Sequence, residues 1–172
     1  AKEVIVQALR HGKHVVTANK DLIAMEGQEL MQIAAEEHRH LLFEASVGGA
    51  IPVLRLLQDY FYSRDVKAVL GIINGTTNYI LSSMSRKKIA FNTALQAAQK
   101  KGYAEQNPTN DIKGYDARYK LVILIYLVTH TWLDPSEITV EGIDHLDLSD
   151  FEYADRLDRK IKLIAYFQVN DE

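Results

Sequence analysis

Glu105, Asp111, Asp116 and Lys120 fall in one short run of this chain, GYAEQNPTNDIKGYDARYK from Gly102 to Lys120. Asn107, Pro108, Thr109 and Asn110 between them are turn formers and predict a stiff loop at the mouth of a helix. That helix should run from about Gly114 to His130, which puts Asp116 and Lys120, four apart, on one face. The pair has two readings. It can be a helix-stabilising ion pair worth about 0.3 to 0.5 kcal/mol, or it can join Glu105 in lining a cleft. In a cleft the lysine can donate a proton to a developing alkoxide while the carboxylates bind a substrate ammonium. Adjacent carboxylates would keep the lysine protonated and burial would favour its neutral form, so the surroundings choose between acid and base.

Three other stretches carry polar chemistry at the end of an apolar run. HVVTA (14–18) reads as a buried strand that ends in Asn19 and Lys20, where ligands of α/β proteins collect; a lysine in a solvated loop is the plain alternative. LLFEASV (41–47) reads as a strand with Glu44 inside it and Gly48 and Gly49 after it. A carboxylate there needs a cation, a donor or solvent, and with loop carbonyls it forms the ligand set of a hard cation. An edge-strand glutamate facing water fits equally well. VKAVLGII (66–73) is a third strand, followed by Asn74, Gly75, Thr76 and Thr77 and a helix from Asn78 to Met84. Strand, turn and helix start present N–H groups and hydroxyls to an anionic or carbonyl ligand, or simply an N-cap.

The elements that must position these groups follow from periodicity. Helices are expected at the N-terminus, where Gly12 stops one, and over 28–37, Val53 to Tyr62 and Phe91 to Lys101, the last capped by Asn92 or Thr93 and ended by Gly102. LVILIYLV (121–128) is apolar all round, so the helix bearing Asp116 and Lys120 should be buried in its second half. Ile138 to Ile143 reads as a strand, Asp150 to Leu157 as a helix, and Ile161 to Val169 as a last strand with an exposed edge.

Composition bounds the function. A chain of 172 residues with a net charge of −3 and no basic patch gives no sign of nucleic-acid or membrane-surface binding. The lack of cysteine removes thiolate chemistry and sulfur-held zinc, and is compatible with a reducing compartment. No run of apolar residues is long enough to span a membrane and no signal peptide is seen. The histidines show no zinc-binding spacing, and Ser46 has no nucleophile-elbow context.

Taken together, VVTANKDLIA (15–24), FEASVGGAIPVLRLL (43–57), GIINGTTNYIL (71–81) and GYAEQNPTNDIKGYDARYKL (102–121) closely resemble homoserine dehydrogenase in order and spacing. The likeness is strong over residues 1 to 130 and looser beyond, through VEGID and IKLIA. It implies reversible hydride transfer between L-homoserine and L-aspartate 4-semialdehyde with NAD(P), in a cytoplasmic, dimeric enzyme of aspartate-family amino-acid biosynthesis. By that likeness Lys120 is the proton donor and acceptor. Glu105 and Asp116 bind the amino acid, and Asp111, Gly75, Thr76, Tyr103 and Lys20 line the same pocket. Lys20, Asn19 and Gly102 approach the cofactor, and Glu44 with the carbonyls of Val47, Gly49 and Ile51 resembles the family's sodium site.

The departures are specific. The G-x-G-x-x-G turn that opens the family's cofactor domain does not occur in these residues, and Asn110 and Leu157-Asp158 differ from the usual family pattern. The expected fold is α+β, a mixed β-sheet of four or five strands covered by helices on one face, with remnants of a Rossmann-type domain at the termini. Residues 1–24 would end the nucleotide-binding domain, 25–157 form the catalytic and dimerisation domain, and 158–172 return as a strand. Both ends look cut, so little dehydrogenase activity is expected of the piece alone. A non-catalytic amino-acid-sensing or assembly module of the same fold is the rival, although it would have no need of Lys120.

Overall fold

The computed structural model describes residues 1–61 and 66–169. It divides into two compact units, the first built from Ala1–Val69, Tyr119–Ile138 and the chain from Tyr166 onward, the second from Leu70–Arg118 and Thr139–Ala165.

In the first unit, α1 (Lys2–Arg10) buries Ile5 and Leu9 one turn apart and packs on α2 (Lys20–Glu36). Strands β1 (Val15–Val16) and β2 (Leu41–Leu42) flank α2 and pair in parallel, with Val15 opposite Leu41 and Val16 opposite Leu42. Parallel strands need a crossover, and α2 supplies it, making a small β-α-β unit. Here α2 begins at Lys20, eight residues before the expected start. Asn19 explains the difference, because its Oδ1 accepts the Leu22 N–H at 3.1 Å and caps the helix. Gly27 stays helical because it is a contact point: a Cβ there would stand 2.3 Å from the Trp132 ring, which also stacks on Tyr126 at 4.0 Å. The LLFEASV strand shortens to Leu41–Leu42, and Glu44–Ser46 forms a 3-10 turn instead. Helix α3 (Val53–Asp59) follows Pro52 and buries Leu54; its expected end at Tyr62 lies outside the described residues.

The second unit centres on α4 (Gly75–Lys87), with α5 (Phe91–Lys100), α6 (Thr109–Ile112) and α8 (Leu148–Arg156) packed against it. Ile80, Leu81, Met84, Ala94, Ala98, Ala104, Ile143 and Phe151 form its core. The alanines of α5 let the two helices approach closely, which the larger side chains of α4 then fill. Neither Asn92 nor Thr93 caps α5, which starts after Ala90 with no side-chain cap. At its far end Gly102, at φ +75°, turns left-handed, while Gly102 N–H reaches the Gln99 carbonyl at 3.0 Å and Tyr103 N–H the Ala98 carbonyl at 2.9 Å. Those two bonds are the Schellman ending that the glycine predicts. Asp147 caps α8 through Ser149 and Asp150 in a capping box, so α8 begins at Leu148.

Helix α7 (Tyr115–Thr129) gives its first residues to the second unit and the rest to the first. Leu121 to Ile125, Leu127 and Val128 are all buried, as the run of apolar residues requires. The α+β class holds, but the sheets are smaller than expected. Among the described residues the strands form two separate two-stranded sheets, β1 with β2 and β3 (Ala68–Gly71) with β4 (Ala165–Gln168). β4 therefore has a partner, and Val169 N–H continues the ladder to the Lys67 carbonyl at 2.9 Å. Residues 138–143 are not a strand; the Ile143 N–H bonds instead to the Ile112 carbonyl, at the end of α6.

Candidate active site

The second unit contains a compact polar cluster built on the start of α4. Asn74 is its hub and is 4% exposed. Its Oδ1 accepts the Thr77 N–H at 2.8 Å and the Thr77 hydroxyl at 2.9 Å, which caps α4. Its Nδ2 donates to Asp111 Oδ1 at 2.6 Å and to Asp116 Oδ2 at 2.9 Å. One amide group thus ties together a helix start and two carboxylates from α6 and α7. Asp116 is 6% exposed, and burying a carboxylate costs several kcal/mol unless it is paired or bonded. A donor shared with a second carboxylate offsets part of that cost.

Around this hub, Thr76 is buried and its hydroxyl donates to the Tyr103 carbonyl at 2.5 Å. That bond fixes the turn after α5 to the start of α4. Tyr103 itself is exposed, its ring 4.8 Å from that of Tyr79. Gly75, the first residue of α4, has no heavy atom within 4 Å of where a Cβ would stand, and neither has Gly102. Both leave open space beside the backbone, as a ligand approach needs. Glu105 is exposed on the same turn, where Gln99 Nε2 holds its backbone carbonyl at 3.1 Å.

In the first unit, Lys120 lies one turn beyond Asp116 along α7 and is half-buried, neither a free surface side chain nor a core one. Lys20 opens α2, its Nζ 3.6 Å from Asp21 Oδ1, directly after the capping residue Asn19. Glu44 has a role that spacing did not reveal. Its two oxygens accept the Leu54 and Arg55 N–H groups at 3.1 and 3.0 Å, so it caps α3 across the glycine loop. In that loop Val47 is buried, Gly48 and Gly49 have φ of +81° and +57°, and the Ile51 carbonyl accepts the Val53 N–H at 2.8 Å. Among the described residues no group of three or more His, Cys, Asp or Glu side chains could hold a metal.

Asp111, Asp116, Thr76 and Gly75 were expected in one pocket, and the fold brings them together around Asn74. Asn74 itself was expected only as the residue that ends a strand. Its position just before Gly75, at the N-cap of a helix, was the available signal; the second use of its side chain was not.

The structure is matched by known proteins over nearly its whole length. A family model described as homoserine dehydrogenase matches residues 52–170, and one described as homoserine dehydrogenase, NAD binding domain, matches residues 1–44. The homoserine dehydrogenase of Neisseria gonorrhoeae is 43% identical over 96% of this chain, which spans 38% of that protein. The enzyme of Bacillus subtilis is 42% identical over 97% of the chain, which spans 39% of it. A crystal structure of a homoserine dehydrogenase from Thiobacillus denitrificans superposes with a TM-score of 0.95 at 40% identity, covering 99% of this chain and 39% of the other. A hyperthermophilic archaeal homoserine dehydrogenase in complex with NADPH superposes with a TM-score of 0.81 at 28% identity, covering 96% of this chain and 48% of the other. The chain belongs to the homoserine dehydrogenase family. No helix among its described residues is long and apolar enough to cross a membrane.

Proposed function

We propose that the protein carrying this chain interconverts L-homoserine and L-aspartate 4-semialdehyde with a nicotinamide cofactor, as a step of aspartate-family amino-acid biosynthesis. The observation that carries the reading is the Asn74 bridge, which holds Asp111 and the buried Asp116 on one donor. In this reading Asp116 and Glu105 bind the substrate ammonium, while Thr76, Gly75, Tyr103 and Asp111 line its pocket. Lys120 takes the hydroxyl proton during oxidation and returns it to the developing alkoxide during reduction.

The cofactor supplies hydride transfer when bound. The residues that would hold it suit that role. Asn19 spends its carbonyl oxygen on the α2 cap and keeps its amide N–H groups as donors, and Gly102 leaves its flank open. Lys20 contributes a positive charge beside the nicotinamide and the substrate. Holding the reactants in line supplies much of the rate, and proton transfer by a positioned lysine adds about 10²- to 10⁴-fold.

Residues 1–24 then end the nucleotide-binding domain, 25–157 make the catalytic and dimerisation domain, and the C-terminal stretch 158–172 returns toward the cofactor domain. A sodium ion is part of the same reading, held by Glu44 and the carbonyls of Val47, Gly49 and Ile51. Each carboxylate oxygen accepts more than one partner, so capping α3 leaves Glu44 capacity for a cation. The ion would fix the glycine loop. A homodimer would cover Leu70, Ile72 and Ile164, apolar residues exposed around β3 and β4, in the cytoplasm.

The test is Lys120→Ala in the full-length protein. Homoserine-dependent reduction of NAD or NADP should fall at least a hundredfold, with homoserine binding still measurable by calorimetry. Survival of hydride transfer would show the assigned role to be wrong.

A further inference from the structure

We infer that the stretch Val140 to Asp144, VEGID, is a clamp for the Asp111 and Asp116 carboxylates, making Gly142, Asp144 and Lys113 positioning residues for the amino-acid substrate. The inference rests on the functional reading above and extends it to a segment with no assigned role.

Residues 112–114 are the backbone turn that separates the two carboxylates, and VEGID lies against that turn at every point. The Ile143 N–H donates to the Ile112 carbonyl at 2.8 Å. Gly142 is there because nothing larger fits: a Cβ would stand 2.7 Å from the Ile112 oxygen and 3.0 Å from Lys113 Cα, both backbone atoms that cannot swing away. Gly114, at φ +82°, meets the clamp from the other side, its missing Cβ 2.7 Å from Val140 Cγ1. Lys113 Nζ then closes the contact on Asp144 Oδ2 at 2.7 Å. That ion pair raises the lysine's pKa and depresses the aspartate's, each mainly through the hydrogen bond to the other.

The clamp is anchored. Ile143 is 2% exposed and sits in the core with Ile80, Leu81 and Met84 of α4, the helix that Asn74 caps. Asn74 therefore fixes the two carboxylates through their oxygens, and VEGID fixes them through their backbone, with α4 as the common base. The Asn74 contacts are 2.6 and 2.9 Å, so a shift of about 1 Å in the turn would carry both beyond hydrogen-bonding range. The side chains of Lys113 and Asp144 are 47% and 31% exposed. A pair that wet adds little to global stability, so its effect is on the geometry of the turn.

The experiment uses the full-length protein with Lys113→Met, Asp144→Asn, the swap Lys113→Asp with Asp144→Lys, and Gly142→Ala. Hydrogen exchange of residues 111–118, read by mass spectrometry, and KM and kcat for homoserine are measured on each. Each single ion-pair variant should exchange faster over that segment and raise KM about tenfold with kcat little changed. The swap should restore both, and a folded Gly142→Ala should show the larger effect. Unchanged exchange in the single variants overturns the clamp, as does an unchanged KM in an active protein. If the wild-type protein does not oxidise homoserine, the functional reading falls, and the exchange data still decide the clamp by themselves.

Discussion

Replacing Asn74 with aspartate tests the hub of the site with the smallest change of shape. Asp and Asn are equally good N-caps, so the oxygen that serves Thr77 is retained and α4 keeps its start. What disappears is the N–H2 group that donates to Asp111 and Asp116. Two hydrogen bonds to charged groups, at about 1.5 to 3 kcal/mol each, set a loss of roughly 3 to 6 kcal/mol. A third carboxylate beside the first two adds repulsion of about 4 kcal/mol per pair at about 4 Å, unless a proton is taken up. Against a typical domain stability of about 5 to 15 kcal/mol, that leaves the fold marginal near neutral pH. Asn74→Ala loses the same two bonds and the cap, about 1 kcal/mol more, but adds no charge. The two variants therefore separate by pH. In the folded aspartate variant the crowded carboxylates hold a proton that the unfolded chain has released, so its stability falls as pH rises. Urea unfolding of the full-length protein followed by circular dichroism at pH 5 and pH 7 measures this. The aspartate variant should lose ground to the alanine variant between the two values. An aspartate variant as stable as wild type at pH 7, or a pH-independent gap between the two, would refute the bridge.

Two further outcomes can be checked separately. Gly27→Ala should destabilise by about 1 to 3 kcal/mol in thermal unfolding, because its Cβ would enter the Trp132 ring position, and Trp132→Leu in the same chain should recover part of the loss. Asp155 is held between Lys88 and Lys160, at 2.5 and 2.9 Å, and those hydrogen bonds, with Lys88 the larger contributor, lower its pKa from 3.8 to about 2. Its stabilising contribution is complete above the unfolded value and is lost as pH falls from 3.8 toward 2. Carboxyl NMR should give a midpoint near 2, and Lys88→Met should move it upward.

Local chemistry was legible wherever a residue's effect stays within a turn of itself. Gly102 ended α5 and the apolar run of α7 was buried. Strand lengths were overread because β-branched runs signal burial as much as pairing. In LLFEASV the chain leaves the sheet after two residues so that Glu44 can reach the N–H groups of α3. Helix α2 starts earlier than its periodicity suggests because Asn19 caps it, and Gly27, a poor helix former by propensity, is kept within it by packing on Trp132.

By itself the sequence determined the family, the α+β class and which side chains could do acid–base chemistry, since these depend on residue type, order and short spacing. Tertiary structure alone decided that Asn74 joins Asp111 to Asp116, 37 and 42 residues away in the chain. It alone decided that VEGID lies against the turn between them instead of forming a strand. Periodicity reports which face of an element is apolar. Which distant backbone that face meets, and which buried polar group finds its partner there, is fixed only when the core closes around it.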